Sequence, residues 1–180
     1  MPASPESNEL DGLRRLDSQV ISAVYDRYFP DVFRFVRYRI NDDKAAEDLS
    51  SDVFMRLLEA ARANRAPDTN LRAWLLSTAS HLVNDHLRRH YRRPVENLDE
   101  SHADQRTNLP VEYEQKERLG RMKNALSTLT DEQQNVLALR FGGGFSLEET
   151  AAALKKNVNA IKQLQFRALA ALQRKMDDLP

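Results

Sequence analysis

Lys162, Gln163 and Arg167 fall on one side of a stretch with helical spacing, and their types suit nucleic-acid chemistry. A lysine donates to guanine O6 and N7, a glutamine pairs with adenine, and an arginine holds phosphate. Asn157 and Asn159 lie at the start of the same stretch, where a groove-bound helix presents its reading residues. A second basic group, Arg88, Arg89, Arg92 and Arg93 beside Tyr91, reads either as a nucleic-acid-facing patch or as a solvated helix end complementing the macrodipole. Asp85 is placed to pair with Arg88 or Arg89 along the helix. His86 and His90 are four apart and could share a metal, but His81 is badly spaced as a third ligand, so the pair reads as surface imidazoles without metal. Asp42, Asp43 and Glu47 suit a helix N-terminus, which leaves Asp48 to be explained. Gly142-Gly143-Gly144 lacks the following Gly-Lys-Ser/Thr of a phosphate loop and reads as a turn. With no nucleophile–base pair, metal-ligand set or cofactor fingerprint, neither catalysis nor a bound cofactor is expected.

The elements that position these residues are helical throughout. Val20, Ile21, Val24, Tyr28, Val32, Phe35, Val36 and Ile40 recur at three and four, with a break expected near Phe29 and Pro30 opening a second helix. Asn41-Asp42-Asp43 caps a helix running to about Ala63, a loop spans Arg65 to Asn70, and a long helix follows from Leu71 to Tyr91. From Arg92 to Val111 the apolar pattern collapses into a linker. Thr130 with Gln133, and Ser146 with Glu149, form two capping boxes. The second opens a short helix to Leu154, and after Lys155-Lys156-Asn157 a longer helix starts at Val158, the layout of a helix-turn-helix. Ala151, Leu154, Val158 and Ile161 are placed to pack the inner faces of that pair. The expected architecture is all-α: a disordered tail over 1–16, a helical domain over 17–92, a linker over 93–112 and a helix-turn-helix domain over 113–180.

Composition is compatible with this and narrows the partners. The 180 residues carry 27 basic and 27 acidic side chains and no cysteine, which excludes a disulfide framework and suits a reducing cytoplasm. No apolar run reaches the ~20 residues of a membrane span, and the first twenty residues, with Glu6, Glu9 and Asp11, lack the basic-then-apolar layout of a secretory signal. Residues 117–180 alone are mildly basic, at net +3. Affinity for free DNA should therefore be weak, as befits a protein held on DNA by a larger partner.

In order and spacing, four segments resemble the extracytoplasmic-function branch of the sigma-70 family: Tyr28 to Phe35, Ala46 to Phe54, Leu71-Arg72-Ala73-Trp74-Leu75 with Asp85 to Arg89, and Leu129 to Leu172. The resemblance implies a promoter-specificity factor for RNA polymerase that is not itself an enzyme. By it, Glu47, Asp48, Ser51, Asp52 and Phe54 would dock on core polymerase. Arg65, Asn70, Trp74, His81, Asn84, Arg88 and Arg89 would serve the minus-ten element, with the Arg65–Asn70 loop beside Trp74 suited to splayed-out bases. Asn157, Asn159, Lys162, Gln163 and Arg167 would serve the minus-thirty-five element, and the linker would thread the active-centre channel. It also implies promoter DNA and an anti-sigma factor as partners, and a monomer when free. Trp74 is read as mainly a core residue. Departures from the family pattern are Ser51 for glutamine, Lys155 for glycine, with Asn157 expected to supply the left-handed residue, and Leu164-Gln165-Phe166 for Arg-Leu-Ser. Two competing readings are a dimeric regulator binding its own operator and a protein-interaction module. The two halves, joined by an apolar-poor linker, are expected to move independently.

Overall fold

The computed structural model describes residues 5–92 and 109–177, and among them the regular elements are all helical. The N-terminal half comprises α1 (Pro5–Arg14), α2 (Ser18–Ile40), α3 (Asp43–Arg62) and α4 (Leu71–Arg92). The C-terminal half comprises α5 (Leu109–Ser127), α6 (Asp131–Leu137), a π-helical turn (Ala138–Gly142), α7 (Leu147–Leu154) and α8 (Val158–Asp177). Residues 93–108, most of the expected linker, lie outside the described residues; 109–112 belong to α5.

Local chemistry explains most boundaries. Asp17 accepts from the Gln19 and Val20 amides to open α2, and Asp42 accepts from Ala45 to open α3. Both expected capping boxes are present, Thr130 with Gln133 and Ser146 with Glu149. The break expected at Pro30 is absent, and α2 runs through it. Proline removes one helical hydrogen bond, to the Asp26 carbonyl, and both residues are exposed where water can serve that oxygen. Burial of Val24 and Tyr28 before it and of Val32, Phe35 and Val36 after it holds the two parts in line.

The expected disordered tail is corrected more sharply. Residues 5–14 form α1, with Leu10 buried and Leu13 fully so, in the same core as Val24, Phe35, Val53, Leu57, Leu71 and Leu75. Gly12 permits the approach, since a Cβ there would lie 2.5 Å from a Val20 methyl. Burying a leucine side chain contributes about 1.5–3 kcal/mol, enough to hold a segment whose own helical propensity is low.

The C-terminal half holds two small cores, Leu129, Leu137 and Ala168 in one, and Val136, Ala151 and Ile161 in the other. Leu154 and Val158 pack on the second, as the sequence pattern requires. The halves are docked, contrary to the expectation of independent motion. Leu139, Phe145 and Ala153 join the N-terminal core, and α7 packs along α4. The Arg72 guanidinium lies 4.5 Å from the centre of the Phe145 ring and binds both Asp31 of α2 and Glu149 of α7. A Cβ on Gly142 would sit 2.6 Å from the Tyr38 ring, so the close contact there depends on glycine. Arg39, its side chain 2% exposed, donates to Asn84 at 3.2 Å and to Asn135 across the interface. These side chains come from both halves, so the apolar-poor linker says nothing about them.

Candidate nucleic-acid interface

The loop between α3 and α4 is built by left-handed asparagines. Asn64 takes φ 52° after the last turn of α3, where the Ala63 amide donates to Glu59 and the Arg65 amide to Ala60. Asn70 takes φ 51°, and its side chain caps Ala73 at the start of α4. Between these points the chain borders an open hollow of about 320 Å³ lined by Arg56, Glu59, Ala60, Arg65, Trp74 and Thr78. Two of the expected minus-ten residues, Arg65 and Trp74, thus come together around one concavity. Trp74 is half-buried and packs against the N-terminal core while still lining the hollow. An indole wall, two guanidinium groups, a carboxylate and a hydroxyl can stack on and hydrogen-bond to a single unpaired base. Arg56, Glu59 and Thr78 escaped the sequence reading, although Thr78 follows Trp74 by four and Glu59 follows Arg56 by three.

The remaining expected minus-ten residues are distributed otherwise. Asn70 is engaged in capping α4. His81 and Arg89 are exposed. Asn84 accepts from Arg39, and Arg88 reaches Asp131 of α6 at 3.2 Å, not Asp85 as the intrahelical spacing suggests. Those two face the C-terminal half. His86 and His90 stack with ring centres 6.3 Å apart. Burial, then the His90 and Arg89 charges, pushes the His86 imidazole below its ordinary value, with Asp42 opposing.

On α3, Glu47, Asp48, Ser51 and Asp52 are all exposed at i, i+1, i+4 and i+5, a continuous polar and largely acidic stripe. Phe54, expected among them, turns inward and is 7% exposed. It packs against Tyr25 and Phe29 with ring centres 4.9 and 6.1 Å away, so its place is to support the helix from behind.

At the helix-turn-helix, Lys155 itself adopts the left-handed conformation, φ 53° and ψ 44°, where Asn157 was expected to. Asn157 caps α8, accepting from the Ala160 amide at 2.8 Å. Asn159, Lys162, Gln163 and Arg167 are exposed, and with them stands Phe166, 74% exposed. Gln165 is drawn away from that face by Arg140 of the π turn, at 3.1 Å.

Comparison with known proteins matches these two halves separately. The family model for Sigma-70 region 2 covers residues 24–93, and that for Sigma-70, region 4 covers residues 125–174. The chain is 33% identical to the ECF RNA polymerase sigma factor BldN of Streptomyces coelicolor over 90% of its own length and 62% of that protein's. It is 31% identical to the ECF RNA polymerase sigma factor SigX of Bacillus subtilis, covering 88% of this chain and 84% of SigX. Its fold is that of CnrH, solved in complex with the cytosolic domain of CnrY, at TM-score 0.69 and 20% identity over 96% of this chain and 97% of CnrH. It is also that of RpoE from Bartonella quintana, solved with the anti-sigma factor NepR, at TM-score 0.58 and 23% identity over 88% and 98% of the two chains. With both regions in order and the match to SigX running nearly end to end, this chain belongs to the extracytoplasmic-function sigma factors of the sigma-70 family.

Proposed function

We propose that this protein binds core RNA polymerase through the exposed Glu47, Asp48, Ser51 and Asp52 stripe and directs initiation at promoters of one class. The hollow at Arg65 and Trp74 takes an unpaired minus-ten base, with His81, Asn84, Arg88 and Arg89 along the adjoining helix for the flanking strand. The N-terminal part of α8 enters the major groove at the minus-thirty-five element, where Lys162 and Gln163 read base edges and Arg167 holds phosphate. Asn157 and Asn159 stand at that helix start, Asn157 as its cap. The protein performs no catalysis of its own and works in the cytoplasm as a monomer until it meets polymerase. An anti-sigma factor holds it in reserve, by analogy with the Bartonella RpoE solved with NepR.

The observation that supports this reading is that the hollow at Arg65 and Trp74, the exposed Lys162, Gln163 and Arg167 of α8, and the exposed acidic stripe of α3 occur in one chain. The near-neutral charge agrees, because polymerase supplies the hold on DNA that the protein lacks. Pull-down of core polymerase by wild type and by Asp48→Arg, followed by transcription from a promoter library, tests it. Wild type should bind and support initiation, and the charge reversal should remove both while the helical circular dichroism spectrum persists. A wild-type protein that neither binds core nor initiates on any promoter would sink the reading.

A further inference from the structure

The helix α1 lies outside the matched region 2, which begins at residue 24, yet it is tied directly to the minus-ten loop. Glu6 accepts from the Leu71 amide at 3.1 Å, satisfying one of the free N–H groups that open α4. A carboxylate there is also favoured by the helix dipole. Eight residues on, Arg14 donates to Asp68 in the loop at 2.7 Å. Between these two ties, Leu10 and Leu13 are buried in the common core, and Glu9 holds α2 through Arg27 at 2.7 Å and Tyr28 at 3.1 Å. Leu10 also lines a small cleft of about 170 Å³ between α1 and the loop, with Ser7, Asp11 and Thr69. The loop therefore has two sides: one lines the hollow at Arg65 and Trp74, the other rests on α1.

Resting on the function proposed above, we infer that α1 is a brace for base selection, with Glu6 and Arg14 as positioning residues. Glu6 sets the first turn of α4, three residues before Trp74. Arg14 sets Asp68, three residues after Arg65. A pocket that selects a flipped base by shape and hydrogen bonds needs its walls held to a fraction of an ångström. The Arg14–Asp68 pair is largely solvated, so its contribution to overall stability is small, and its effect falls on the loop.

The test uses the full chain with core polymerase and a promoter library randomised across the minus-ten element, comparing wild type with Glu6→Gln, Arg14→Ala and the two combined. A wrong base at a read position costs ~1–3 kcal/mol, about 5- to 150-fold, and the double variant should lose about fivefold or more of that discrimination. Core binding and minus-thirty-five preference should be retained, because Glu6 and Arg14 bond to the Leu71 amide, Asp11 and Asp68 and to neither of those surfaces. Arg14→Lys, which keeps the charge, should restore much of the preference. A double variant that folds, binds core and selects minus-ten bases as sharply as wild type would overturn the brace and leave the sigma-factor reading intact. A double variant whose thermal transition is lost would shift the decision to Arg14→Ala alone, where undiminished selectivity would equally overturn it. A wild type that binds core but shows no minus-ten preference would remove the reading on which the brace rests, and the brace with it.

Discussion

His86 is held on α4 between the stacked ring of His90, Arg89 and the Asp42 carboxylate at the start of α3. Burial and its cationic neighbours lower its affinity for a proton below that of an imidazole in the unfolded chain, about 6.5. Above that pH both states are neutral there, and the residue adds no pH dependence. As pH falls below about 6.5 the unfolded state protonates first, so stability declines until pH passes the lower folded value. His86→Gln should flatten that part of a melting-temperature profile below about pH 6.5, leaving the alkaline side unchanged. An acid limb identical to wild type would show that other groups produce it. The spacing of His86 and His90 was legible in the sequence. The partial burial of His86 and the opposing Asp42 were not, because Asp42 caps another helix.

The joint between α7 and α8 shows how an element boundary can be right in place and wrong in mechanism. Its length and the flanking capping residues are local features, so the helix-turn-helix could be read from spacing alone. Which residue turns left-handed depends on how α7 ends, and Lys155, not Asn157, takes that conformation. A side chain with a Cβ pays about 1–2 kcal/mol there, and glycine offsets part of this through its freer unfolded chain. Lys155→Gly should therefore raise stability by about 0.5–1 kcal/mol, seen as a higher denaturant midpoint with an unchanged slope. A lower midpoint would mean that the lysine makes a compensating contact. Pro30 and α1 taught the opposite lesson. Proline in α2 and a polar, proline-flanked N-terminus argue locally against helix, and burial on Val32, Phe35, Leu10 and Leu13 overrides both.

In the whole molecule, the two halves meet through Arg39, Arg72, Arg88 and the Phe145 ring. Asn84 and Arg88, assigned above to minus-ten DNA, face this interface, so binding through them requires the contact to give way. The pairs at its edge are partly exposed and should weaken with salt, while Arg39 is buried and should not. Small-angle scattering should find wild type as one compact particle. Arg39→Ala, which leaves Asn84 and Asn135 without their donor, should enlarge the radius of gyration. An unchanged curve for the variant would place the strength of the contact in Phe145 and its apolar neighbours instead.

Helix-period patterning, two capping boxes and the four matched segments lie within short stretches of chain, and short-range sterics and hydrogen bonding decide them. The sequence by itself therefore determined the all-α class, the helix-turn-helix, the two-region organisation and the exposed residues of α8. Only the tertiary structure decided that α1 is a helix against the loop, that Phe54 turns inward, that Arg56, Glu59 and Thr78 join Arg65 and Trp74, and that Arg39 is enclosed between the halves. Each of those depends on which distant surfaces meet, and burial energy summed over residues far apart in the chain is not written in any local pattern.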